Sequence, residues 1–414
     1  MTESTPHIRQ PRIVIVGGGV GGMETVLALH DLAEGRLDVT LVAPEPDFNL
    51  RPMAVAVPFS RGRVTPLPLH DVMAEHGGRF VRGALRRVDA DAHTITLTTG
   101  DELAYDILVL ALGAAATPPF LHALTFGAHP TALNGILADL EQGWSRSIAF
   151  VVPRGCTWPL PLYELALMTA EDVWSMNIDS AEVHVVTPEL APLEVFGPAA
   201  SAAVAELLDR GRISLHCGVH AQVHHSGAVE IAPGREIAVD CTVALPILEG
   251  PQLEGIPAAA NGFIPVDDAG RVDGLEDVYA VGDATDRPIK QGGLACQQAD
   301  VTAAHIAARA GADVEVPALA QVLRGRLLTG ARDRFLHDDP DATPATGASL
   351  WWAPTKVGGR YLSPYLIAKN VVHLPQRGAD PPRGIEVQVA LTRQQKRAHE
   401  DVLGLSPLGV IARR

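Results

Sequence analysis

Arg12-Ile13-Val14-Ile15-Val16 runs without a break into Gly17-Gly18-Gly19-Val20-Gly21-Gly22, and this junction decides the fold. Five residues dominated by β-branched side chains read as a strand buried on both faces. Gly17, Gly19 and Gly22 have the G-x-G-x-x-G spacing, and the text from Gly21 to Glu34 reads as a helix. Gly17 permits the tight turn, Gly19 lets a pyrophosphate approach the backbone, and Gly22 lets the helix pack close to the strand. The helix start then adds N–H donors and a positive dipole end. The junction predicts a dinucleotide site that also takes in Gly18 and Gly21.

Working outward, apolar strand-like runs recur at Val39–Ala43, Ile107–Ala111, Ile148–Val152, Val183–Thr187 and Val278–Val281. Helical text lies between them at Leu162–Ser175, Ala199–Arg210 and Leu294–Ala310, with Gly211 and Gly311 where helices stop. Such alternation reads as βαβ units around parallel sheets. Two stretches break it: Arg79–Leu103, with a Thr99-Gly100-Asp101 turn, and Ile213–Val243, with a Pro233-Gly234 turn, alternate polar and apolar residues like antiparallel meanders. The order βαβ, meander, strand thus occurs twice. The fold class expected is α/β, with two Rossmann-like domains carrying antiparallel meanders and a C-terminal extension. The expected division is a first dinucleotide domain over 1–125 and 251–312, a second over 126–250, and a C-terminal module over 313–414.

The 414 residues are 47% hydrophobic and 20% charged, an ordinary globular balance. A formal net charge of −15 without a basic run repels phosphate backbones, so nucleic acid is excluded as a partner. Four scattered cysteines, Cys156, Cys217, Cys241 and Cys296, form no C-x-x-C pair and point to a reducing compartment. With no apolar leader before Ile13 and no long uninterrupted apolar run, the expected location is the cytoplasm, or a peripheral position on the inner face of the cell membrane. His216, His220, His224 and His225 crowd one meander without the spacing of a structural zinc site, so no metal is expected.

Three further segments specify the dinucleotide. Tyr105-Asp106-Ile-Leu-Val-Leu-Ala111-Leu112-Gly113 resembles the strand-plus-Ala-Thr-Gly element of two-dinucleotide-domain flavoproteins, and Asp277-Val-Tyr-Ala-Val-Gly282-Asp283 resembles their second FAD fingerprint. By that resemblance Asp283 holds a ribityl hydroxyl, and Ala111, Gly113 and Gly282 belong to the FAD site. Glu45, just beyond the second strand, is the candidate for the ribose hydroxyls, with a solvated loop carboxylate as the alternative. Arg51 follows on the same loop as a further cofactor contact. Pro288-Ile-Lys290-Gln-Gly-Gly293-Leu294-Ala-Cys296 resembles the segment that passes under the flavin and starts a helix, whose amides face the pyrimidine ring. Lys290 is either a cation beside the flavin or a solvent-facing side chain. Relatives with covalent flavin carry a cysteine soon after the second strand; Pro44–Pro58 has none, so the FAD is expected to be non-covalent.

In the repeat, Ile148–Val152 leads into Pro153-Arg-Gly155-Cys156-Thr-Trp158-Pro159-Leu-Pro161-Leu-Tyr163-Glu164, where only Gly155 remains of a glycine fingerprint. Prolines and bulky residues stand where a pyrophosphate needs bare amides, which disfavours direct use of NAD(P)H. This text, with the Pro-x-Tyr-Glu tail at Pro161–Glu164, resembles sulfide:quinone oxidoreductases and flavocytochrome c sulfide dehydrogenases, with type II NADH:quinone oxidoreductases as cousins. The resemblance covers about residues 10–310 and implies an FAD oxidoreductase that passes electrons from a small donor, sulfide or a related sulfur compound, to a quinone or another acceptor. In those sulfide-oxidising relatives a cysteine pair on the far face of the flavin carries sulfur. Cys156 is the counterpart of the first cysteine, although it stands eight residues before Glu164, farther than in the family pattern; no cysteine follows Ala310 to match the second. Cys296 beside the flavin face can substitute or can be a buried helix residue, Cys217 and Cys241 read as core, and Glu164 is the candidate for proton traffic.

Two other readings stay open: an NAD(P)H dehydrogenase using Thr187-Pro188-Glu189, or a flavin-bearing redox partner that does not turn over. The C-terminal aromatics Trp351-Trp352, Tyr361 and Tyr365, near Lys356, Arg360 and Lys369, suit a membrane and quinone interface, packing over the flavin domain, or a homodimer contact.

Overall fold

The computed structural model describes residues 9–128, 132–178, 180–331, 333–336, 356–373 and 389–390. The first half runs β1 (Arg12–Val16), α1 (Val20–Ala33), β2 (Asp38–Ala43), β3 (Arg79–Arg82) and β4 (Ile107–Leu110). The second runs β5 (Leu124–Thr125), β6 (Ser147–Val151), α2 (Leu160–Ser175), β7 (Glu182–Val186), α3 (Pro198–Arg210), β8 (Ile213–His216) and β9 (Cys241–Ala244). The chain then returns to the first sheet through β10 (Val278–Ala280) and closes with α4 (Gly292–Arg309). Both sheets are five-stranded and parallel, in the orders β10-β4-β1-β2-β3 and β5-β9-β6-β7-β8. The molecule is thus built from two Rossmann-like units, as the α/β alternation requires.

Alternation within each strand divides the interior into two cores. Ile13, Ile15, Leu41, Ala43 and Val109 point to the helix face, while Val14, Val16, Val42, Leu108 and Leu110 point to the face covered by Val88, Ile95 and Leu97 of the meander. Each large aliphatic side chain removed from water on either face contributes about 1.5–3 kcal/mol, so the strand needs apolar residues at every position. The second unit repeats the scheme, with Ala149, Val151 and Val186 against Val229 and Ile231 of its own meander.

The two units also share a polar device. Asp106, just before β4, accepts the backbone N–H of Arg12 at 2.7 Å and pairs with the Arg12 guanidinium. Asp240, just before β9, accepts the backbone N–H groups of Arg146 and Ser147 and the Ser147 hydroxyl. Both carboxyls are held below the ordinary Asp value, Asp106 chiefly by the Arg12 side chain and Asp240 chiefly by the Arg146 amide.

The meanders are shorter than the alternation suggests. Arg79–Arg82 leaves its expected hairpin and extends the parallel sheet beside β2, with Thr40 opposite Arg79. The first meander is Leu85–Asp89, Thr94–Leu97 and Glu102–Ala104; the second is Gln222–Val223, Val229–Ala232 and Arg235–Ile237. Cys217 and Cys241 are half-buried rather than core, because Cys217 follows the end of β8 and Cys241 opens β9. Trp351 and Trp352 lie outside the described residues. Among the described residues no helix is long and apolar enough to cross a membrane.

Candidate functional site

The junction after β1 has the geometry its glycines require. Gly17 has φ +116°, and a Cβ there would lie 2.1 Å from the carbonyl oxygen of Ala111. A Cβ on Gly22 would lie 1.8 Å from the Gly17 carbonyl oxygen, so any side chain forces helix and strand apart. Gly19 faces open space, with nothing within 4 Å of its Cβ position, and no side chain caps α1. The unfilled volume therefore lies at the amide end of the helix, at the carboxyl edge of the sheet, where open α/β sheets take their ligands. Gly18 lies against Leu69 and Ala43, and Gly21 against Val281, which brings the second fingerprint alongside the first.

At that second fingerprint Gly282 has φ +72° and donates its N–H to Gln298 Oε1 at 2.8 Å. Asp283 is the middle residue of a short 3-10 turn over Gly282–Ala284 and is half-buried. Burial raises its carboxyl, while Lys290 and Arg51 pull it back down. Lys290 is 5% exposed, which removes the solvent-facing alternative. Its ammonium lies 3.7 Å from the centre of the Phe263 ring and donates to the Thr285 carbonyl. Burial pushes it down to about 8, against the attraction of Asp283 and Asp286. Helix α4 begins two residues later, capped by Gln291: Gln291 Oε1 accepts the Leu294 N–H at 2.8 Å, so the donors at the open end of the helix are Gly292 and Gly293. Glu45 is exposed just past β2, Arg51 is exposed at the start of a 3-10 helix over Arg51–Ala56, and Gly113, at φ +70°, follows Ala111 beyond β4. These residues converge on one edge of the first sheet, and their open glycine turn, paired fingerprints and half-buried Asp283 fit an FAD.

The corresponding edge of the second sheet is built differently. Helix α2 starts with Pro159 at its cap and Pro161 in its first turn, and the Leu162 N–H is taken by the Pro159 carbonyl. The short strand Gly325–Leu327 lies on this helix start: a Cβ on Gly325 would lie 2.7 Å from Phe196 and 2.9 Å from Leu160. Glu164 is 0% exposed; it accepts the Leu328 N–H at 2.9 Å and forms an ion pair with Lys356, whose side chain is 6% exposed. Burial raises Glu164 and lowers Lys356, each opposed by the other's charge.

Cys156 is buried in the loop after β6, and burial pushes its thiol up to about 12, opposite to the lowering that a helix start would give a thiolate. Cys296 is buried on α4 and raised for the same reason. The structure therefore brings Gly17–Gly22, Gly282, Asp283, Lys290 and Gly293 to one locus, while Cys156 and Glu164 belong to the second.

Two acids, Glu24 and Asp300, escaped the sequence reading, and a third, Glu189, entered it only within the Thr187-Pro188-Glu189 text of the NAD(P)H alternative. Glu189, just past β7 and 0% exposed, accepts the Tyr163 hydroxyl at 2.6 Å and the Thr187 hydroxyl at 3.0 Å through one oxygen. Its other oxygen is buried without a partner, and burial raises the carboxyl to about 7. Glu24, buried on α1, and Asp300, half-buried on α4, lie within side-chain hydrogen-bond reach of each other. The available signal was an acid inside an otherwise apolar helix face, Met23-Glu24-Thr25-Val26.

A family model for the pyridine nucleotide-disulphide oxidoreductases matches residues 11–143 and 164–311. The chain belongs to that family. It is thus an FAD/NAD(P)-dependent oxidoreductase. Among curated proteins it is 28% identical over 299 residues to an NADH dehydrogenase-like protein of Mycobacterium tuberculosis, covering 66% of this chain and 72% of the relative. It is 31% identical over 103 residues to a sulfide-quinone reductase of Aquifex aeolicus, 24% of each chain. Among solved structures, the sulfide:quinone oxidoreductase of Aquifex aeolicus superposes with a TM-score of 0.72 at 20% identity, covering 90% of this chain and 99% of that one. This last likeness shows the shared fold.

Proposed function

We propose that this family member takes electrons from a small donor, with sulfide or a related sulfur nucleophile favoured, and passes them through non-covalent FAD to a quinone. One observation carries the reading: the second-domain helix start is proline-capped and lies beneath Gly325. A nicotinamide dinucleotide needs bare amides there for its pyrophosphate, and a triatomic donor does not. FAD, when bound, supplies the two-electron relay. Gly17, Gly18, Gly19, Gly21 and Gly22 hold its pyrophosphate, Glu45 its adenosine ribose, Asp283 its ribityl chain with Arg51 in electrostatic reach of that carboxyl, and Ala111, Gly113, Gly282, Gly293 and Leu294 line its path. Lys290 and the start of α4 offset negative charge at the pyrimidine end. The donor itself is the nucleophile, because burial holds Cys156 and Cys296 as thiols. Glu164, paired with Lys356, is the group that exchanges a proton. The quinone assignment follows the sulfide-quinone relatives.

The NADH dehydrogenase-like relative favours a second reading, in which NAD(P)H is the donor and Gly325–Leu327 moves aside to admit it. Calorimetric titration of the FAD-loaded protein with NADH and NADPH separates the two. No saturable heat is expected; micromolar binding of either nucleotide overturns the first reading in favour of the second.

A further inference from the structure

The segment Lys356–Leu362 crosses from one unit to the other. At its start Lys356 pairs with Glu164 of α2. Val357 then lies against the first residue of α4, with a Cβ on Gly292 placed 3.0 Å from the Val357 side chain. At its end the backbone N–H of Tyr361 donates to Glu24 Oε1 at 2.9 Å and that of Leu362 to Glu24 Oε2 at 2.7 Å. Gly359 passes so close that a Cβ would lie 2.6 Å from Glu24 Oε2 and 2.9 Å from Cys296 Sγ. The segment is therefore a strap over the start of the helix assigned to the flavin, and Glu24 is its anchor.

Glu24 is 0% exposed and has no cation within bonding reach among its described partners; its charge is met by these amides, by the Cys296 thiol and by Asp300. Two carboxylates cannot both stay ionised at hydrogen-bond distance in a dry site, so the pair keeps one proton. Burial and the neighbouring Glu24 raise Asp300 well above the ordinary Asp value, while the strap amides and Asp300 pull Glu24 back down, which places that proton on Asp300. The other Asp300 oxygen, Oδ1, is buried without a partner. The remaining groups facing the pair are Cys296 on α4, Arg360 and Tyr361 on the strap, and Asp31 of α1 beside Tyr361. Arg360, exposed at the strap surface, is the one cation among them.

We infer that the Glu24–Asp300 pair is a one-proton latch that seats the strap Lys356–Leu362 over the start of α4, and that lifting the strap releases the proton. The direction follows from linkage. With the strap seated the pair binds one proton at neutral pH; with it lifted water reaches the carboxyls and the pair's hold on that proton falls toward the ordinary carboxylate range. Above the ordinary carboxylate value the lifted state binds fewer protons, so its population rises with pH, by up to about tenfold per unit, and levels off once the seated pair has also lost its proton. Alkaline conditions bare the start of the flavin helix and Cys296. This goes beyond the donor assignment and does not depend on it.

The test is hydrogen exchange by mass spectrometry on FAD-loaded protein from pH 5 to 9, corrected for intrinsic exchange, following the amides of 359–368. In the wild type, opening is expected to rise with pH by up to about tenfold per unit and to flatten once the seated pair has lost its proton. Asp300→Asn keeps a donor toward Glu24 but cannot ionise, so its profile should be flat. Alkylation of Cys296 in the unmutated protein, divided by the pH dependence of alkylation of a free thiol, should follow the same curve and needs no variant. A wild-type profile independent of pH, or one that Asp300→Asn leaves unchanged, overturns the latch.

Discussion

Replacing Lys356 by Met removes the ammonium that faces Glu164 while keeping an unbranched chain of similar reach. The carboxylate left behind is 0% exposed and retains the Leu328 N–H at 2.9 Å as its described donor. Breaking one side of a buried pair in this way costs about 3–5 kcal/mol, a factor of about 100 to several thousand in the folding equilibrium. The cost has a pH signature. Glu164 is already raised by burial and rises further without Lys356. An acid raised in the folded state contributes its stability at low pH and loses it as pH climbs from the ordinary carboxylate value through the folded one. Lys356→Met should therefore be close to wild type at pH 5 and most damaged at pH 8. Adding Glu164→Gln removes the stranded charge and keeps an acceptor for Leu328, so the double variant should recover most of the loss. Urea unfolding followed by circular dichroism, at both pH values and with all four members of the cycle, supplies the numbers. A single variant within about 1 kcal/mol of wild type at pH 8, or a double variant no better than the single, refutes the reasoning that this pair is buried and coupled.

The two glycines of the first turn should fail in different ways. Gly22→Ala drives a methyl group into the Gly17 carbonyl and should lower the unfolding free energy by about 1–3 kcal/mol, whereas Gly19→Ala meets open space and should leave stability unchanged while weakening FAD retention on gel filtration. Glu189, raised to about 7, should make stability fall between about pH 5 and 7 by up to about 1.4 kcal/mol per unit, and Glu189→Gln should flatten that stretch of the urea-midpoint profile. Cys156→Ala should leave sulfide-driven flavin reduction within about twofold of wild type in stopped flow, because a thiol raised to about 12 is essentially un-ionised at neutral pH; loss of reduction with FAD still bound would restore Cys156 as the nucleophile.

Much of the scaffold was legible because its signals are local. A β-branched run, a glycine turn and an amphipathic stretch lie within about twenty residues of one another, and the observed β1 coincides with Arg12–Val16 as read. The second fingerprint was legible for the same reason, from Val278 to Asp283. Arg79–Arg82 was misassigned because alternation reports which faces are covered and says nothing of whether the neighbour is parallel. The site was half legible. Glycines and a strand-end acid announce a cofactor by spacing alone, but Lys356 meets Glu164 from 192 residues away, and the Tyr361 amide meets Glu24 from 337. No periodicity connects such partners. Cys156 shows the converse difficulty: its identity invites redox chemistry, and only its burial, a property of the packed molecule, raises the thiol.

Anaerobic visible spectroscopy of the FAD-loaded protein, with sulfide, NADH and NADPH added to separate samples, bears most directly on the central claim. Sulfide is expected to bleach the oxidised-flavin bands at neutral pH while both nicotinamides leave them unchanged. Bleaching by NADH or NADPH with no response to sulfide would contradict that claim, and would mean that the helix start beneath Gly325 opens to a dinucleotide.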